Sequence, residues 1–156
     1  MKKIVSLLFS LLLLAACSNN SLSPVITVTS LYVNDDTIDY AQTLGSMPSL
    51  VVGDEVNVTL DLNGNGAELK TFQVNRTAEI KLDSLGYEKR EVTSEIDFTD
   101  VEGGRLRFVD GVNDTHLLVK AKVVSTTEKE TKLSFYLSSK AETNAAQYDL
   151  VLKTGV

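Results

Sequence analysis

The chain has one cysteine, one histidine, two prolines and no tryptophan in 156 residues. With Cys17 alone, no disulfide can form within the chain, so its stability has to come from burial. One histidine and one cysteine cannot supply the soft donors of a zinc site. His116 is the sole candidate base for a Ser–His–Asp site, but no Gly-x-Ser-x-Gly elbow accompanies it, and it reads as a solvated residue at a strand entry. Glycosidase chemistry needs two acids facing across a cleft; Glu95 and Asp97 are the candidates, and they share one polar strand face. No catalytic residue and no cofactor is therefore expected. Positive charge is also short, with 15 Lys and Arg against 21 Asp and Glu and a net charge of −6. Such a surface repels nucleic acid and anionic lipid, so no nucleic-acid partner is expected. No segment sustains a 3.6-residue apolar period, which excludes a helical domain.

What is present begins at the amino terminus. Lys2 and Lys3 precede an apolar run from Ile4 to Leu14, broken by Ser6 and Ser10. A helix needs about 20 apolar residues to span a bilayer and this run has about 11, so it reads as a secretory leader. It ends in Leu14-Ala15-Ala16-Cys17. That tetrapeptide resembles the lipobox of bacterial lipoproteins, which implies cleavage before Cys17 and acylation of its thiol. The alternative is an ordinary leader with a cysteine placed by chance. The lipobox reading makes residues 1–16 a signal peptide, residues 17–24 a lipidated tether and residues 25–156 one domain. It implies a membrane partner through the lipid on Cys17 and a place in the cell envelope. Ser18 stands where enteric bacteria carry an inner-membrane retention Asp, so the outer membrane is expected, in either leaflet. More than one acyl chain gives stable anchoring.

From Val25 onward the sequence reads as strands and turns. Residues 55–62 alternate Val56, Val58, Leu60 and Leu62 with polar neighbours, the period of a sheet with one buried face. Further strands are expected at 69–75, 80–82, 92–98, 105–109, 117–123, 132–138 and 147–153, and at 26–33, which is apolar on both faces as for a strand closing a sandwich, with 37–40 extending it. Seven to nine such strands predict an all-β antiparallel sandwich. Residues 52–60 resemble the B-strand entry of bacterial immunoglobulin-like modules, and 132–153 resemble their closing F–G hairpin. That resemblance implies an immunoglobulin-like sandwich, a fold hosting many functions.

Three features point to ligands or modification. Asp61-Leu62-Asn63-Gly64-Asn65-Gly66 reproduces the opening of an EF-hand loop, making Asp61, Asn63 and Asn65 calcium candidates. The bidentate acid due at the twelfth position is Phe72, so a Gly- and Asn-rich hairpin turn is the simpler expectation. Tyr32, Tyr40, Tyr87 and Tyr136 are the possible platforms for a sugar ring. Asp36-Thr37-Ile38 and Asp83-Ser84-Leu85 resemble the Asp-Ser/Thr-apolar acceptor of an O-glycosylation system in some Gram-negative envelope proteins. The expected function is a non-enzymatic, membrane-anchored binding or adhesion module with a glycan or envelope-protein partner. Its recognition loops are expected at 63–67, 102–105 and 139–146. A structural or accessory subunit of an envelope complex or surface fibre ranks second, and a hydrolase third.

Overall fold

The computed structural model describes residues 22–126, 131–141 and 145–155. The expected leader, the lipobox-like tetrapeptide and Cys17 lie outside the described residues. Among the described residues, eight strands form two antiparallel sheets: β1 (Val25–Val33), β2 (Glu55–Asn63), β3 (Leu69–Arg76), β4 (Ile80–Gly86), β5 (Arg105–Arg107), β6 (Asp114–Val123), β7 (Thr131–Ser139) and β8 (Ala146–Leu152). The first sheet runs β1-β2-β6-β4 and the second β5-β3-β7-β8. Their apolar faces meet in one core that includes Leu31, Leu60, Leu69, Phe72, Leu117, Phe135, Leu137 and Leu150, all fully buried. Each such side chain contributes about 1.5–3 kcal/mol of transfer free energy. Phe72, Phe135 and Tyr148 stack in series, with centroids 6.2 and 6.4 Å apart.

Period-two patterning accounts for β2 and β6, where every second side chain is buried. Three other strands keep one face buried by breaking their register once. Buried residues in β1 step from Val28 to Leu31, in β3 from Leu69 to Phe72 and in β4 from Leu82 to Leu85. In each case the pairing shifts between those two residues. One extra residue changes which face the following side chains occupy, so an odd spacing of apolar residues is kept on the core side. This is why β1 looks apolar on both faces in the sequence.

Three expectations are corrected. Residues 92–98 do not form a strand. Only Val92 bridges, to Phe108, while Ile96 is 85% exposed and Phe98 50% exposed. The hydroxyl of Thr93 accepts the Glu95 N–H, and the Glu95 carbonyl takes the N–H groups of Phe98 and Thr99. Local polar acceptors thus replace the ladder. Residues 37–40 do not extend β1 but fold back on it: Asp39 Oδ1 accepts the Leu31 N–H at 2.9 Å, and Tyr40 N–H donates to the Leu31 carbonyl at 2.8 Å. The turn after β2 is not a hairpin either. It carries the chain from the first sheet to the second, with Asn65 at φ 52°. Apart from strands, short 3-10 turns occur at Leu44–Ser46 and Lys89–Glu91.

The register sorts the loops into two ends. Val25 pairs with Asn63, Asn63 with Asp114, and Leu69 with Ser139, so the start of β1 shares its end with residues 64–68, 108–113 and 140–141. Val33 pairs with Val56, Ile80 with Val123 and Thr131 with Leu152, which puts residues 34–54, 77–79 and 100–104 at the opposite end.

Candidate functional site

The proposed calcium ligands sit at the entry end, each held by a protein contact. Asp61 Oδ1 lies 2.6 Å from His116 Nδ1 across the β2–β6 pair. Asn63 Oδ1 accepts the Asn65 N–H at 2.7 Å, closing its own turn. Asn65 Nδ2 donates to the Ser23 carbonyl at 3.0 Å, tying the turn to the start of the chain. Among the described residues, no three His, Cys, Asp or Glu side chains converge as a metal ion would require.

His116 and Asp61 stand beside a cleft of about 490 Å³ lined in part by Thr59, Tyr87, Glu91, Thr115 and His116. The imidazole is exposed, at 77% of its side chain. The two threonine hydroxyls of the lining are engaged elsewhere. Thr59 Oγ1 accepts from Ser30 at 2.8 Å, and Thr115 Oγ1 donates to Glu91 Oε2 at 2.5 Å. An acid–imidazole pair is therefore present, and neither threonine hydroxyl of the lining is hydrogen-bonded to the imidazole. Glu95 and Asp97 both lie in the exposed segment outside β5.

The tyrosines divide by environment. Tyr40 is buried, and its hydroxyl donates to Asp36 Oδ2 at 2.8 Å, which holds the Asp36 carboxyl below the usual carboxylate range. Tyr87 packs partly against the core. Tyr32 and Tyr136 are half-buried on the outer faces of the first and second sheets. Around Tyr136 the register builds a row across all four strands of the second sheet: Arg105, Gln73, Tyr136, Gln147. Neighbouring groups hold these side chains in place. Gln73 Nε2 donates to the Gly103 carbonyl at 3.3 Å, Gln147 Nε2 to Asp149 Oδ1 at 3.0 Å, and Arg105 Nη2 to the Asp97 carbonyl at 3.4 Å. Arg107 lies 5.9 Å from the Phe98 ring centroid, so the exposed Phe98 extends the same face with a cation–π pair. Hydrogen bonds from Gln147, Ser134 and Lys132 push the Asp149 carboxyl down to about 2. Alternation gave Tyr136 its outward direction in the sequence, but it could not reveal its neighbours across the sheet.

The recognition loops expected from the sequence do not form one cluster. Residues 63–67 and the described part of 139–146 lie at the entry end, where Lys140 N–H donates to the Glu68 carbonyl at 2.7 Å. There the Lys140 ammonium pairs with Glu68 and, at 2.6 Å, with Asp110. That ion cluster raises the Lys140 pKa and lowers those of both carboxylates. Residues 102–105 lie at the opposite end, where β5 begins.

Comparison with known proteins gives a family match over residues 17–154, to the family described as Domain of unknown function (DUF5035). The chain belongs to that family. Among curated proteins, none matches it. A solved structure of a family 123 glycoside hydrolase from Clostridium perfringens, described for glycolipid glycan hydrolysis, is similar with a TM-score of 0.47 at 11% identity. The similarity covers 86% of this chain and 27% of that one, so the chain spans about a quarter of that protein's length.

Proposed function

We propose that this family member is a lipid-anchored, non-enzymatic binding module of the bacterial envelope, an immunoglobulin-like sandwich that recognises a glycan on the outer face of its second sheet. The strand order supports the fold reading. Constant-type immunoglobulin domains pair their strands A-B-E-D opposite C-F-G. The same order results here when β1, β2, β6 and β4 are taken as A, B, E and D, and β3, β7 and β8 as C, F and G. β5 is then an added strand outside C. The family match begins at Cys17, which supports reading residues 1–16 as a leader absent from the mature chain.

The row Arg105, Gln73, Tyr136, Gln147 is the observation that carries the binding reading. A phenol ring flanked by two amides and a guanidinium offers an aromatic surface for pyranose C–H groups, with donors and acceptors for hydroxyls on either side. The test is isothermal titration of envelope and capsular polysaccharides against the protein and its Tyr136→Ala variant. Binding should weaken by roughly tenfold or more in the variant, equivalent to about 1.4 kcal/mol, with its melting temperature retained. Equal affinity in both proteins, or no heat with any polysaccharide, refutes the assignment.

One observation favours the second reading, an accessory subunit. β8 pairs with β7 over its whole length without a register break and, among the described residues, has no strand on its other side. A regular open edge is a template for an added strand from another chain. Stoichiometric co-purification with envelope proteins from detergent extracts would favour that role over free-standing recognition.

A further inference from the structure

We propose that Thr37 is the attachment point of an O-linked glycan, added after export; the inference rests on the envelope reading above. Asp36-Thr37-Ile38 and Asp83-Ser84-Leu85 have the same acceptor-like pattern in sequence, and the fold separates them. In the first, all three residues are exposed, within a run of exposed residues from 34 to 39. Ile38 leaves 53% of its surface in water, so the apolar side chain after the acceptor is available to an enzyme. Asp36 is fixed beside it: Oδ1 accepts the Ile38 N–H at 3.1 Å and Oδ2 accepts the hydroxyl of buried Tyr40. The tripeptide is thus presented in one conformation, anchored to the core through Tyr40.

The second tripeptide is incorporated in the fold. Ser84 lies in β4 opposite Lys120, at the register break, and Leu85 is 6% exposed in the core. An enzyme reading the apolar residue there would have to open the edge of the sheet. A third Asp-Thr pair, Asp114-Thr115, is followed by His116, and its hydroxyl is committed to Glu91.

Position reinforces the contrast. Thr37 follows the far end of β1, a nine-residue strand that begins where the tether emerges, about 30 Å away at the usual rise per residue. A transferase working at a membrane-anchored substrate therefore meets Thr37 on the side turned from the anchor. The row Tyr32, Asn57, Lys120 adjoins the loop along a shallow groove, giving the first sugar an aromatic face and two polar side chains to lie on.

The transfer balances without a redox step. The enzyme's base removes the Thr37 hydroxyl proton, and Oγ1 attacks the anomeric carbon of a polyprenyl-diphosphate-linked glycan. A C–O bond forms as the anomeric carbon–phosphate oxygen bond breaks, and polyprenyl diphosphate leaves.

The test is mass spectrometry of the full-length protein purified from its own bacterium's membranes, with Thr37→Ala and Ser84→Ala variants in parallel. Trypsin has no site between Lys3 and Lys70, so chymotrypsin is used to release residues 33–40. We expect that peptide to carry the mass of sugar residues, with fragment ions assigning them to Thr37. The modification should vanish in Thr37→Ala and persist in Ser84→Ala. A lipidated Cys17 with a bare Thr37, or a glycan retained in Thr37→Ala, overturns this site alone. A chain that retains residues 1–16 and carries neither lipid nor sugar overturns the envelope reading as well.

Discussion

Replacing three glycines by alanine separates backbone strain from packing in this fold. Gly104 has φ +85°, and an added Cβ there would sit 2.5 Å from Val74 Cγ1 and 2.9 Å from the Val74 carbonyl oxygen. Gly111 has φ +89° with nothing within 4 Å of its Cβ position. Gly45 has the same open space without the unusual dihedral. Holding a non-glycine residue left-handed costs about 1–2 kcal/mol, and overpacking adds about 1–3 kcal/mol. Relief at residue 104 is restricted, because its carbonyl also accepts the Val74 N–H at 2.9 Å. Gly111→Ala should therefore lose about 1–2 kcal/mol and Gly104→Ala about 2–5 kcal/mol. Gly45→Ala should be neutral or gain up to about 1 kcal/mol by restricting the unfolded chain. Urea unfolding gives the three values, and calorimetry should show melting falls of about 3–5 °C per kcal/mol for a domain of this size. If Gly104→Ala and Gly111→Ala agree within about 0.5 kcal/mol, the close approach of residue 104 to β3 is refuted.

Acid should act through Asp149. Its folded pKa is depressed to about 2, so its stabilising contribution is complete above the unfolded value and lost as pH falls through the folded one. Asp149→Asn should flatten the decline in melting temperature between about pH 4 and pH 2; a decline as steep as in the parent chain contradicts the pairing. Millimolar calcium should leave the melting temperature unchanged, because Asp61, Asn63 and Asn65 are held by His116, the turn backbone and Ser23. A calcium-dependent rise abolished by Asp61→Asn would show that those side chains exchange protein partners for the ion.

Much of the fold is legible where burial alone decides. β2 and β6 are central in their sheet, each with a partner on both sides, and their alternation follows directly from one face meeting the core. The register breaks are less visible, yet they leave a trace in the three-residue steps from Val28 to Leu31, Leu69 to Phe72 and Leu82 to Leu85. The segment 92–98 has the alternation of a strand with none of its burial. At the edge outside β5, only three residues long, little partner backbone is available, and the Thr93 hydroxyl and the Glu95 carbonyl capture the N–H groups instead. Alternation reports that a segment is able to bury one face. Whether another strand supplies that face is a long-range fact, absent from the local pattern.

The same limit governs the site. Loop composition drew attention to residues 63–67 and 139–146, whose glycines, asparagines and small polar residues suit exposed turns. In the fold Asn65 and Lys140 help to close the entry end, Asn65 on Ser23 and Lys140 on Glu68 and Asp110. A chain tethered at Cys17 has at most the few residues up to Val25 between its anchor and β1, so this end would face the bilayer. On the proposed anchoring, recognition is expected at the sheet faces and the far end. The ordered row through Tyr136 and the exposed loop at Thr37 are both there; residue type flags Tyr136 and Thr37 in the sequence, and the fold supplies their neighbours.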